Sequence, residues 1–167
     1  MHTAALVLAD GARLGVRPIS AEDRDAFSTW FGRLTPESRR RRFHGPKPRL
    51  SARELTYFTE VDHVSHTALV AVDAAGELVG EARYATARPG DRTADFAIMV
   101  ADGWQGRGVG SRLAAQLVRA ARANGIARLT ALTLADNLPA QRLLRRLGFR
   151  YAGSDGDALE YELALAC

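Results

Sequence analysis

The segment from residue 93 to residue 134 constrains the fold more than any other. "TADFAIMVA" reads as a strand, "DGWQGRGVG" as a glycine loop, "VGSRLAAQLVRAARANG" as a helix and "IARLTALTL" as a second strand. In the helix, Val109, Leu113, Leu117 and Ala121 recur on one face, while Arg112, Arg119 and Arg122 lie elsewhere. This is an amphipathic stripe, and Gly125 supplies the stop. Strand, helix, strand is a βαβ crossover. It requires the two strands to run parallel, with a right-handed connection.

The loop inside this unit invites comparison with phosphate cradles. The dinucleotide fingerprint needs G-x-G-x-x-G, but counting from Gly106 ends on Ser111 and counting from Gly108 ends on Leu113. The acidic residue expected about 20 positions later is also missing. The ATP-type loop needs Gly-Lys-Ser/Thr, and no lysine is present here. Both fingerprints fail, yet the physics behind them stays. Glycines let backbone N–H groups come close to a ligand. A helix starts directly afterwards, so its unpaired N–H groups and dipole favour an anion. Arg107 and Arg112 add positive charge, and a pyrophosphate would suit the loop. Three glycines alone are equally compatible with a tight strand-to-helix turn that holds nothing.

The flanking sequence reads as one domain over residues 1–167, with no repeat and no linker. "AALVLADGARLGVRPI" is a hairpin turning at Asp10-Gly11. "SAEDRDAFSTWFGRL" is a helix capped by Ser20, with Phe27, Phe31 and Leu34 at helical spacing. "TPESRRRRF" starts a helix with Thr35 as cap and Pro36 at the first position. "SARELTYFTEV" is another short helix. "TALVAVD" and "ELVGEARYAT" flank a turn. "DNLPAQRLLRRLG" is a helix capped by Asp136 or Asn137 and stopped at Gly148, and "FRYAG" and "ALEYELALA" are closing strands.

Several function classes drop out. No apolar run approaches the roughly 18 residues needed to span a bilayer, so no membrane role is expected. The first residues lack a basic start and a small-residue cleavage site, which points to the cytoplasm. The one cysteine, Cys167, excludes a disulfide framework and a cysteine zinc site within the chain, and a terminal thiol makes a poor nucleophile. Net charge is +4, nearly all of it arginine, which favours an anionic partner or reflects compositional bias. The run Arg39 to Arg42 is read as a solvated or structural helix face in preference to a nucleic-acid patch. His63 and His66 have no carboxylate set at metal spacing beside them, so no metal is expected. Phe27, Trp30 and Phe31 read as core. Trp104 packs over a ligand or shields the turn.

The residues also carry a resemblance. Val100 to Ser111 resembles the acetyl-CoA loop of the GNAT superfamily of N-acetyltransferases, whose pattern Gln/Arg-x-x-Gly-x-Gly/Ala is matched by Gln105, Gly108 and Gly110. Asn137-Leu-Pro-Ala140, followed by Leu147-Gly148-Phe149, resembles the asparagine helix of that family. A narrower set, Leu34 to Arg39, Arg42-Phe43, Leu50-Ser51, Val61-Asp62 and Ala94 to Ala97, is similar to the GNAT domain of bacterial protein lysine acetyltransferases over residues 14–150. The fold class that follows is mixed α/β, α+β-like. It has a central, mostly antiparallel sheet, a splayed parallel strand pair and flanking helices.

The resemblance implies acetyl transfer from acetyl-CoA to an amine acceptor, with a protein lysine as the favoured acceptor. A small amine such as an amino acid, polyamine or aminoglycoside is the alternative, and a weakly catalytic acyl-CoA-binding regulator is a third reading. It assigns the pyrophosphate to backbone N–H groups of Gln105, Gly106, Arg107, Gly108, Val109, Gly110 and Ser111. The pantetheine arm falls to Ile98, Val100 and the side chain of Asn137. An N–H near Val100 faces the thioester oxygen. A protonated amine needs a general base. Asp95 holds that position, one methylene shorter than the usual glutamate, with Glu81 as the second candidate. Leu144 stands where many members carry the tyrosine that protonates the leaving thiolate.

Overall fold

The computed structural model describes residues 4–165; Cys167 lies outside them. The opening hairpin forms as expected from β1 (Ala4–Val7) and β2 (Arg13–Pro18). Asp10 Oδ1 accepts the Ala12 N–H at 3.0 Å in its turn. The next helix starts later than its pattern suggests. Residues Ala21–Asp23 form a 3-10 turn, and α1 spans Arg24–Arg33. The reason is local: the Asp23 carboxylate accepts the Ser20 N–H and is gripped by both Arg17 terminal nitrogens, which tightens the first turn.

Two short helices follow. The first, α2 (Pro36–Phe43), is capped by Thr35, whose hydroxyl accepts the Ser38 N–H, and it has proline in the first turn. The second, α3 (Ala52–Thr59), carries a capping box between Ser51 and Glu54. The strands are β3 (His66–Val72), β4 (Leu78–Thr86) and β5 (Thr93–Val100). Next come α4 (Val109–Ala123), β6 (Arg128–Leu134), α5 (Leu138–Arg146), β7 (Arg150–Asp155) and β8 (Ala158–Ala164).

All eight strands join one sheet in the order β1-β2-β3-β4-β5-β6-β8-β7. Every pair is antiparallel except β5–β6. The sheet therefore matches the mixed, mostly antiparallel arrangement expected from the sequence, and α4 is the crossover between its parallel strands.

Each face of the sheet has its own core. The stripe Val109, Leu113, Leu117 and Ala121 of α4 is fully buried against residues such as Leu14, Val16, Leu69 and Phe96. Removing one such large side chain from water is worth about 1.5–3 kcal/mol. The other face packs Phe27, Trp30, Phe31 and Leu34 from the first helical region, with Phe58 of α3, onto Val70, Leu78 and Met99. The aromatic trio is thus core, as its spacing predicts. Arg83 is buried in this second layer, its guanidinium 4.2 Å above the Phe58 ring.

Candidate functional site

The site begins where the parallel pair comes apart. Strands β5 and β6 are in register only at Thr93–Arg128, Ala94–Leu129 and Asp95–Thr130. Beyond that rung they diverge, while β6 stays paired with β8 to Leu134. The Ala101 N–H donates to Val79 O at 2.8 Å, so Ala101 faces β4. Antiparallel bonding alternates along a strand, which directs Met99, Ala97 and Asp95 to β4 as well. The backbone groups of Phe96, Ile98 and Val100 therefore point into the split. Ile98 and Val100 are the two residues to which the family resemblance assigns a strand-like ligand arm.

The glycine loop closes the wide end of this split. Gly106 and Gly108 have φ of +73° and +87°, conformations that cost a side-chain-bearing residue strain. Gly108 sits at the N-cap of α4, and the first bond of the helix runs from Arg112 N–H to Gly108 O at 3.2 Å. The N–H groups of Val109, Gly110 and Ser111 thus have no partner within the helix and form a positive end suited to an anion. Val109 buries its side chain beneath the sheet. A Cβ placed at Gly110 would lie 3.6 Å from the Ile98, Val100 and Leu143 side chains, so the first turn of α4 rests close on β5 and α5.

Two loop side chains do something the sequence did not show. Gln105 Nε2 donates to Val100 O and to Ser38 Oγ, which bolts the loop to the end of β5 and to α2. Arg107 turns to Asp10 in the first hairpin, at 2.7 Å, and lies 4.1 Å over the Trp104 ring. Trp104 itself is partly buried against the core. Across the split, Asn137 caps α5 by accepting the Ala140 N–H at 3.3 Å. That cap uses only its oxygen, so its amide donors are not committed by the helix. Leu144 is buried in the core, where a phenolic side chain would need a hydrogen-bond partner.

The two carboxylate candidates are not brought together. Asp95 is exposed at the closed end of the split, and its Oδ1 accepts the Thr130 hydroxyl at 2.5 Å. Glu81 pairs in register with Met99, four residues further along, a distance of about 13 Å along a strand. It is fully buried. Its Oε1 accepts from Arg83 Nε at 2.6 Å, and its Oε2 has no hydrogen-bond partner among the described residues. Arg83 also bonds the Phe58 carbonyl and meets His66 Nε2 at 2.9 Å. Burial, then the Arg83 charge, hold His66 down to about 4, so it is neutral and accepts from Arg83.

The arginine run is structural. Arg39 bonds the Pro48 carbonyl, Arg40 and Arg41 pair with Glu37, and Arg42 lies over the Phe43 and Phe58 rings. Arg40 also reaches Asp136, beside Asn137, at 2.6 Å. Asp102, in a 3-10 turn at the end of β5, accepts from Thr35 N–H, Thr35 Oγ1 and Ser38 Oγ at 3.0, 2.7 and 2.7 Å. These contacts join residues 64 to 96 positions apart, and no local pattern announces them.

Among the described residues no group of three or more His, Cys, Asp or Glu side chains could hold a metal ion. Among them, too, no helix is long and apolar enough to cross a membrane. A cavity of about 530 Å³ near Arg17, Asp23 and His63 shares no residue with the split.

Comparison with known proteins matches this geometry. The model of the acetyltransferase (GNAT) family fits residues 29–149. Acetyltransferase PA5475 of Pseudomonas aeruginosa is 33% identical over 145 residues, 85% of this chain and 77% of that protein. The crystal structure of the GNAT domain of S. lividans PAT superposes with a TM-score of 0.91 at 32% identity, covering 98% of this chain and 97% of that one. The L-methionine sulfoximine/L-methionine sulfone acetyltransferase of Pseudomonas aeruginosa is 41% identical over 88 residues, 51% of each chain.

Proposed function

The chain belongs to the acetyltransferase (GNAT) family, and on that premise we propose that it moves acetyl from acetyl-CoA to a protein lysine in the cytoplasm. One observation carries this reading: the split between β5 and β6 opens the backbone of Phe96, Ile98 and Val100 beside the unpaired N–H groups of Val109, Gly110 and Ser111. An extended, amide-rich arm ending in a pyrophosphate fits that sequence of groups, a strand-like edge followed by a helix N-terminus.

In this reading the backbone from Gln105 to Ser111 holds the pyrophosphate. The side chain of Gln105 fixes the loop, and that of Arg107 braces it from outside. The arm lies along Ile98 and Val100, and Asn137 donates to it from the other side. An N–H near Val100 donates to the thioester oxygen as negative charge develops there.

The acceptor arrives as an ammonium group, with pKa near 10.4 for a lysine. Asp95 takes the proton, directly or through one water, and Thr130 orients its carboxylate. The amine nitrogen then bonds to the carbonyl carbon, the C–S bond breaks, coenzyme A leaves as thiolate, and the nitrogen gives up its second proton to water as the amide forms. With Leu144 in the core, the thiolate takes its proton from water. Glu81 is the second candidate, but it is fully buried and its Oε1 is held by Arg83, whereas Asp95 is exposed where an acceptor can reach it.

The motifs that resemble the GNAT domain of bacterial protein lysine acetyltransferases, from Leu34 to Asp62 and at Ala94 to Ala97, support a protein acceptor. The 41% identity to an amino-acid-derivative acetyltransferase over half the chain supports a small-amine acceptor as the second reading. Free thiol release from acetyl-CoA, followed with a panel of lysine-containing proteins and a panel of free amines, separates the two. Turnover with the protein panel alone supports the lysine reading; turnover with amines alone overturns it.

A further inference from the structure

α2 presents a problem of stability. It has only eight residues and buries none of them, although it contacts both β5 and β6. A helix that short is marginal on its own, so ties to other elements hold it. Its N-terminus is tied by Asp102, which accepts three hydrogen bonds from Thr35 and Ser38, and Ser38 in turn accepts from Gln105 of the glycine loop. Its middle is tied through Arg40 to Asp136, next to the Asn137 cap. Both groups that would hold the donor, the loop and the Asn137 turn, are thus wired to one helix. That helix lies on the opposite side of β5 from α4, the side where Asp95 is exposed.

We propose that Asp102 is a positioning residue: it transmits ordering of the glycine loop by coenzyme A to α2, the wall on the acceptor side. This rests on the donor reading given above. The Asp102 carbonyl accepts the Gln105 N–H at 3.3 Å, but its carboxylate, the part that Asp102→Ala removes, bonds Thr35 and Ser38. When an anion bridges the backbone N–H groups of residues 106–111, Gln105 loses freedom. Ser38 and Asp102 then lose it too, and α2 frays less often. Ligand ordering passed along a hydrogen-bond network in this way is a coupling that needs no large movement.

The test is hydrogen exchange on the full chain with coenzyme A as probe. In the natural sequence, saturating coenzyme A should slow exchange of the 36–43 amides by about fivefold or more. Asp102→Ala should bind coenzyme A with a Kd within about threefold of the parent, yet lose most of that slowing. Asp102→Asn, which keeps one acceptor oxygen in place, should recover part of it. Should Asp102→Ala fold poorly, Ser38→Ala removes the link to both Asp102 and Gln105 and should lose the slowing as well. The proposal is overturned if α2 exchange ignores coenzyme A in the natural sequence, or if the variants respond as it does. Calorimetry with the same probe reports the donor reading separately: absence of binding to the natural sequence sinks that reading, whereas binding without protection of α2 sinks only this proposal.

Discussion

The Thr130 hydroxyl donates to Asp95 Oδ1 across 2.5 Å at the last rung shared by β5 and β6. The carboxylate is thereby held at the closed end of the split by the strand on its far side. If Asp95 takes the ammonium proton, Asp95→Asn should lower kcat by about 10²–10⁴ near neutral pH. The loss should shrink as pH approaches the acceptor's own pKa. Full activity of Asp95→Asn from about pH 6 to pH 9 would remove Asp95 from this role.

Glu81 should behave differently. It is fully buried against Arg83, and breaking a buried pair by removing one charge costs about 3–5 kcal/mol. Glu81→Gln should therefore lower the melting temperature together with activity, whereas Asp95→Asn should leave it nearly unchanged. A Glu81→Gln protein with parental melting temperature but no turnover would transfer the base role to Glu81.

Gly108 starts α4 at φ +87°. Among the described residues, nothing beyond its chain neighbours lies within 4 Å of where a Cβ would stand, so the cost of alanine there is backbone strain. Gly108→Ala should destabilise by about 1–2 kcal/mol and raise the KM for acetyl-CoA, because the helix start and its N–H groups shift together. Denaturant melts and initial rates check both effects. An unchanged KM would mean the loop does not hold the pyrophosphate.

His66 should make the fold acid-sensitive. Its pKa is pushed from 6.5 to about 4 by burial and by Arg83, so the unfolded chain binds its proton first as pH falls. Between those two values the unfolded state holds more protons, and stability rises with pH; it is lost on acidification from about 6.5 to 4. The effect should be on the order of 1–2 kcal/mol after solvent screening. Thermal melts of the parent and His66→Gln across that range should diverge, the parent falling more steeply. Parallel curves would refute the buried neutral imidazole.

The parts of the fold that were legible in the sequence were those with a local signal. The α4 stripe, the caps at Thr35 and Asn137, and the Asp10-Gly11 turn each depend on neighbours within a few residues. Gln105, Gly108 and Gly110 located the loop for the same reason. The split itself came only through family resemblance, since where a parallel pair separates is decided by strands brought together from far apart. The uses of Asp102, Ser38 and Thr130 were invisible, because their partners lie 35 to 67 residues away. Arg107 is a further case: its charge beside the glycine loop was legible, but the partner of its guanidinium, Asp10, lies in the distant first hairpin.

Titration calorimetry of acetyl-CoA into the full chain tests the central claim most directly. Binding at one site is predicted, with a Kd between about 1 μM and 1 mM, and it should weaken markedly when adenosine 3′-phosphate 5′-diphosphate, which keeps the pyrophosphate but lacks the pantetheine arm, replaces acetyl-CoA. Equal affinity for the two would contradict an arm held along Ile98 and Val100. No heat and no thermal shift with acetyl-CoA at about 1 mM would contradict the account as a whole.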